Sequence, residues 1–373
     1  MKKIVINALA YKQNSSGIGV MIRDLFEPYT NITERSCQVI LPNDGPEFHG
    51  GDKTENVRIS YQHKQSLKRM FFQSFQMGRQ YCKDAVLLTT DSKVPFFLPK
   101  SCVLMPLITD LALFRMPEVY QFSRVLWWRF QYLYLKRRAD HFLAVSEYTK
   151  QDIQKVLNIP ADRITVIYDG YSETMHPVTD ERELTSLREK YGLYEPFVLF
   201  VGNNNPRKNL RRLMEAFDLL KEREQLPHHL VIAGEQGWKF SKEKALSGLK
   251  HPDSVRFIGF VPDEQMSALY SCAAVFAFPT LYEGFGIPVL EAQACGTPVL
   301  AGDCTSLPEV GGEAAIYANP YDVEDIANKL GQMLNNADMC AKLREKGFEN
   351  IKRFSWSASA QKLNDWIEEN ISE

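Results

Sequence analysis

The sequence predicts an α/β protein of two doubly wound parallel sheets, one in each half of the chain. Three observations predict it. Short β-branched runs alternate with helical patterns from end to end. Several of these runs are apolar throughout rather than alternating, as parallel strands covered on both faces are. The 373 residues are too many for one hydrophobic core and suit two domains of roughly 150 to 200 residues.

Taken in order, the strand candidates of the first half are KIVINAL, CQVIL, VRISY, AVLLTT, CVLMPLIT, HFLAVS and RITVIY. Those of the second half are FVLFVG, HLVIAG, VRFIGF, VFAFP, TPVLAG and AAIYA. Helical patterns lie between them, as in NLRRLMEAFDLLKER at 209–223. Such β-α alternation gives open parallel sheets with helices on both faces. The stretch DGYSETMHPVTDERE, 169–183, is polar, turn-rich and carries Pro177. The boundary is therefore drawn at 175/176, giving domains 1–175 and 176–356. The amphipathic segment that follows, 357–371, has to dock on one of them.

Composition narrows the class. Hydrophobic residues make up 45% and charged residues 24%, which is ordinary for a soluble globular protein and excludes a disordered or fibrous chain. The seven cysteines form no CxxC pair and sit mostly in apolar runs, as reduced thiols of a cytosolic protein do. The start, MKKIVINALAYKQ, reads as a first strand rather than a signal peptide. No apolar run approaches the ~20 residues that span a bilayer. A cytoplasmic protein is expected, one able to lie against the inner face of the membrane. Charge is uneven: 23 Lys+Arg against 17 Asp+Glu in 1–175, but 21 against 29 in 176–373. Halves of opposite sign suggest domains with different duties.

Ligands of open α/β sheets bind beyond the carboxyl ends of the strands, so the loops there were searched for chemistry. After FVLFVG comes NNNPRKN, where Arg207 and Lys208 precede a helix that Asn209 is placed to cap. Two cations at a helix start suit an anion such as phosphate; a solvated basic turn is the bland alternative. After VFAFPT comes LYEGFGIPVLEAQACGTPVLAG. Pro288 suits the first turn of a helix, which leaves Glu283 in the loop and Glu291 one turn into the helix. The N–H groups of Gly284, Phe285 and Gly286 face whatever ligand sits there. A carboxylate beside amides can hold a sugar: the carboxylate accepts from hydroxyls, and the amide N–H groups donate to them. In NSSGIGV, 14–20, Gly17 and Gly19 permit close backbone approach, without the third glycine of a dinucleotide fingerprint. Asp110 ends a strand, where a helix cap is the default reading. No HExxH, GxSxG or GxxxxGK[ST] motif occurs, and the seven histidines show no ligand spacing.

With these residues in place, the chain resembles the retaining nucleotide-sugar glycosyltransferases of the large "group 1" family, bacterial mannosyl- and glucosyltransferases among them. The resemblance covers nearly the whole chain and is strongest from VGNNNPRKN to FSWSASAQKL. It implies the GT-B fold, in which two Rossmann-like domains face a central cleft and the last helix crosses back to the first domain. By the same resemblance Arg207 and Lys208 grip the donor diphosphate. Glu283 touches the donor sugar, with Gly284, Phe285, Gly286 and Ile287 in the loop beside it. Glu291 accepts from the ribose hydroxyls, the backbone of Val261 meets the base, and the Gly17–Gly19 loop closes from the first domain. Asp110 is carried over as catalytic. Two positions depart from the family's pattern: Thr109 stands where many members have His, and Asp169 where many have Asn.

The expectation is retaining transfer of a hexose, with mannose from GDP-mannose favoured, to a glycan or polyprenyl-linked acceptor in polysaccharide or O-antigen-type biosynthesis. No cofactor, no metal and no nucleic-acid partner is expected; the nucleoside diphosphate sugar is a substrate. An epimerase of the same fold and an inactive sugar-nucleotide-binding subunit are the alternatives. An anionic membrane surface is a further expected partner, through the N-terminal domain. There Lys64, Lys68, Arg69, Arg79 and Lys83 interleave with Phe71, Phe72, Phe75 and Tyr81. A second segment, FSRVLWWRFQYLYLKRRAD, is as basic and aromatic, but its place before a buried strand points to core.

Overall fold

The computed structural model of the chain describes residues 1–12, 17–62, 64–90, 94–234 and 241–371. It divides into two compact units: Met1–Gly170 with Phe354–Glu373, and Tyr171–Arg353. The chain thus leaves the first unit at Gly170 and returns at Phe354, against the expected 175 and 357.

Twelve of the thirteen strand candidates form strands where expected; the third, VRISY at 57–61, is displaced, the strand being Thr54–Arg58, so that only Val57 and Arg58 belong to it. Every pairing among the described residues is parallel. The first unit holds β1 (Lys3–Asn7), β2 (Cys37–Leu41), β3 (Thr54–Arg58), β4 (Ala85–Thr90), β5 (Val103–Ile108), β6 (Phe142–Ala144) and β7 (Ile164–Val166), in the order β3-β2-β1-β4-β5-β6-β7. All six residues of β4 are buried. The central strands are apolar on both faces because helices cover both.

The C-terminal helix, Trp356–Asn370, packs in this unit against the helix Ile18–Ile32. Its anchor is Arg35, which is 2% exposed in its side chain and meets Glu368 at 2.7 Å. Arg35 also donates to the Ile371 carbonyl at 2.9 Å. The ring of Trp366 stacks on His141 at 4.0 Å. At the exit from the unit, a Cβ on Gly170 would stand 2.6 Å from the Trp356 backbone nitrogen, so only glycine lets the two segments meet.

The second unit holds β8 (Phe197–Val201), β9 (His229–Ala233), β10 (Val255–Gly259), β11 (Val275–Phe278), β12 (Val299–Gly302) and β13 (Ala315–Ala318), in the order β10-β9-β8-β11-β12-β13. The order reverses between β8 and β11. Loops leaving adjacent strands there diverge to opposite faces, and the crevice between them is where such sheets bind ligands.

Candidate functional site

The two loops at this switch point carry the charged residues singled out from the sequence. Beyond β8, Gly202 adopts φ +150°, and a Cβ on Gly234 would lie 2.3 Å from the Gly202 carbonyl oxygen. The ends of β8 and β9 therefore touch backbone to backbone. Asn205 then starts a short 3-10 turn, Pro206–Lys208, accepting from the Arg207 N–H at 3.1 Å. The cations end this turn and, as expected, stand just before the helix Leu210–Arg223, with Asn209 at its N-cap position. Asn209 does not cap that helix with its side chain. It takes a left-handed φ of +60°, and its buried amide donates to the Pro279 and Pro320 carbonyls at 2.9 and 2.6 Å. The Leu281 N–H donates to the Arg207 carbonyl at 2.8 Å. These bonds tie the β8 turn to the β11 loop.

Glu283 is buried in that loop. Its Oε2 accepts from Arg207 Nη1 at 3.0 Å and its Oε1 meets Lys208 Nζ at 2.8 Å. Arg207 Nη1 also donates to the Tyr282 carbonyl at 2.9 Å, and the Lys208 ammonium lies 4.6 Å from the Phe278 ring centre. The backbone is held as firmly: the Glu283 N–H donates to Thr305 Oγ1 at 3.2 Å, and Ser306 Oγ lies 3.0 and 2.7 Å from the Glu283 and Phe285 carbonyls. Burial pushes the Glu283 carboxyl up, but Arg207 and Lys208 outweigh it and hold it below its ordinary range. Two cations and one carboxylate leave a net formal charge of +1 in a mostly buried cluster. Such a cluster attracts an anion, and it presents its donors already oriented.

Gly286, at φ +113°, heads the helix Ile287–Ala294, with Pro288 in the first turn. A Cβ on Gly286 would stand 2.7 Å from Leu307 Cδ2. Glu291, partly buried on this helix, accepts from the Tyr270 hydroxyl at 2.9 Å. Burial pushes its carboxyl up to about 7, against the lowering effect of that hydrogen bond. Gly284 and Phe285 are buried and Ile287 is half-buried. Val261, buried, follows β10 at the sheet edge, two strands from β8.

Asp110, Gly17 and Gly19 belong to the first unit. Asp110 Oδ1 accepts from the Ala112 N–H at 2.9 Å, at the entry to the short helix Ala112–Arg115, whose N-cap residue is Leu111. Gly17 heads the helix Ile18–Ile32 at φ +62° with nothing within 4 Å of where its Cβ would be, and Gly19 is buried in the first turn. Asn14, Ser15 and Ser16, the start of the expected glycine loop, lie outside the described residues. Sequence reading missed the supporting set of Tyr270, Thr305 and Ser306. Tyr270 lies in the part polar, part apolar helix Asp263–Cys272, and the two hydroxyls come from a loop more than 20 residues past Glu283; neither carries a local signal.

Residues 185–350 match the model of "Glycosyl transferases group 1", and residues 112–174 that of "Glycosyltransferase Family 4". The O-antigen chain mannosyltransferase B of Escherichia coli is 32% identical over 260 residues, 68% of either chain. The serotype-specific mannosyltransferase WbdA of the same organism is 33% identical over 228 residues, 60% of this chain and 28% of that one. Among solved structures, a sucrose-phosphate synthase from Thermosynechococcus elongatus superposes with a TM-score of 0.77 at 19% identity, covering 99% of both chains. The family models and relatives, with the fold, define a glycosyltransferase of the GT-B fold. The chain belongs to the glycosyl transferases group 1 family.

Proposed function

We propose that the protein transfers mannose from a nucleoside diphosphate sugar, GDP-mannose foremost, to a hydroxyl of a glycan or polyprenyl-linked acceptor. The transfer retains anomeric configuration and uses no metal ion. The mannosyltransferase names of its relatives support the sugar and an O-antigen-type pathway. The arrangement that carries the chemistry is the Arg207–Glu283–Lys208 cluster at the β8/β11 switch point.

The bond from the sugar C1 to the diphosphate oxygen breaks first, leaving an oxocarbenium-like ring and a negative charge on the diphosphate. Fixed cations are worth most where charge develops, and Arg207 and Lys208 supply them without an ion to recruit. The acceptor oxygen then bonds to C1 on the same face, and its proton passes to the departing phosphate oxygen. Glu283 holds both cations in place and offers its remaining lone pairs to the sugar, while Glu291 faces the ribose. The acceptor is met on the first unit, at a membrane surface if it is lipid-linked. A panel of GDP-, UDP- and dTDP-sugars, read by nucleotide release in a chelator, tests the reading. Selection of a UDP-sugar rejects GDP-mannose, and loss of turnover on chelation rejects the cation-only mechanism.

A further inference from the structure

The first unit exposes an aromatic face that nothing in the reaction uses. The helix Phe122–Arg138 was expected in the core, yet it buries only Val125, Gln131, Tyr132 and Leu135. Phe122 is 82% and Phe130 54% exposed. A second helical run, Ser66–Tyr81, contains a π turn at Phe72–Gln76. That turn sends Phe72 inward and leaves Phe71 and Phe75 outside.

One loop joins the two runs. The Phe96 ring lies 5.9 Å from Phe75, 6.2 Å from Trp127 and 6.0 Å from Phe130. Phe71 and Phe97 extend the same surface from Phe75, at 5.1 and 6.0 Å. Hydrogen bonds fix the loop to both runs: the Phe96 N–H donates to the Ser74 carbonyl at 2.8 Å, and the Tyr134 hydroxyl lies 3.1 and 3.0 Å from the Pro95 and Phe96 carbonyls. The face is therefore built, not a chance scatter of exposed rings.

Its electrostatics select the occupant. Residues 64–83 and 121–138 carry ten Lys and Arg and no Asp or Glu; of the ten, Arg138 is turned away, onto Asp140 and the Pro99 and Cys102 carbonyls. Arg79 stacks on Phe97 at 4.6 Å, which places a cation directly at the aromatic surface. A soluble protein partner would need an acidic, apolar surface matched to both runs. An anionic bilayer offers headgroup charge and an interfacial zone for aromatic rings with no such matching.

We infer that this face, Phe71–Phe75–Phe96–Trp127–Phe130 ringed by cations, seats the protein on an anionic bilayer by inserting its rings at the headgroup boundary. The inference deepens the reading above, since a lipid-linked acceptor is met at that surface, but it stands on the face itself. The test sediments the full chain with phosphatidylcholine vesicles, with and without phosphatidylglycerol, at low and physiological salt. Binding is expected only with phosphatidylglycerol, together with a blue shift of tryptophan emission that Trp127→Phe largely removes. Lys68→Glu with Arg124→Glu should weaken low-salt binding more than tenfold, at about 1 kcal/mol for each cation near the surface. Leu126→Gln with Phe130→Gln touches only exposed side chains; it should weaken binding more than tenfold at both salts while leaving circular dichroism unchanged.

Three results overturn the inference: no sedimentation at low salt, equal binding to neutral vesicles, or wild-type binding by the Leu126/Phe130 variant. A concentration-dependent dimer that the same variant abolishes, without lipid binding, assigns the face to a second copy and also overturns it. Nucleotide release from GDP-mannose in the same preparations judges the reaction separately, so failure of one reading does not pass for failure of the other.

Discussion

Glu283→Gln separates holding the cations from binding the diphosphate. The native carboxylate bonds both Arg207 and Lys208, whose side chains are 20% and 13% exposed. Removing one partner from a buried ion cluster leaves unpaired charge and costs about 3–5 kcal/mol. The amide keeps some hydrogen bonding, so the low end, about 3 kcal/mol, is the expectation. For a domain of this size that lowers Tm by roughly 6–12 °C. The cluster's formal charge meanwhile rises from +1 to +2. Free nucleoside diphosphate, a dianion or more, should then bind the variant about tenfold tighter, which is about 1.4 kcal/mol. Turnover should move the other way. Cations no longer held for the departing phosphate are displaced, and misplacement near 1 Å costs ~10²-fold. The assays are thermal denaturation, calorimetric titration with GDP and steady-state kinetics. Weaker GDP binding in the variant, or an unchanged kcat, would refute the reasoning.

Four further outcomes follow from the same structure. Lys208→Ala should cut turnover by roughly 10- to 100-fold, the loss of one charge-assisted contact of ~1.5–3 kcal/mol; normal turnover in a folded variant removes its role. Glu291 titrates at about 7 in the native state, so donor KM should rise as pH falls through 7, and Glu291→Gln should erase that dependence while mainly raising KM. Because its native value lies above the unfolded one, Glu291 lowers stability as pH rises from the ordinary carboxylate range to 7; Glu291→Gln should flatten that slope in pH-dependent melts. Asp169 is buried, its Oδ1 has no hydrogen-bond partner among the described residues, and burial raises its carboxyl well above the ordinary value. Asp169→Asn should therefore stabilise at neutral pH, with the gain vanishing once the unfolded carboxyl is also protonated; equal melts at neutral pH would count against this.

The strands covered on both faces were legible because such coverage demands unbroken apolar runs, as in AVLLTT of β4; the edge strand β3, Thr54–Arg58, is polar and partly exposed and was found only by its Val57–Arg58 end. The charged residues of the site were legible because a switch-point loop needs cations and carboxylates that a core does not tolerate. The tie through Asn209 was not, since a capping Asn and one that bonds two distant carbonyls look alike in one dimension. Nor was the titration of Glu291, which is raised by burial that the hydrogen bond from Tyr270, arriving from another helix, only partly offsets. The helix Phe122–Arg138 misled for a physical reason: aromatic content ordinarily reports burial, and here Tyr132 is buried while Phe122, Trp127 and Phe130 face outward.

The most direct test of the central account follows C1 of GDP-α-mannose, labelled with carbon-13, by NMR with the protein in excess chelator. The first-formed sugar product should be α-configured, released together with GDP, and absent with Lys208→Ala. A β-configured first product, or release that requires Mg²⁺ or Mn²⁺, would contradict it.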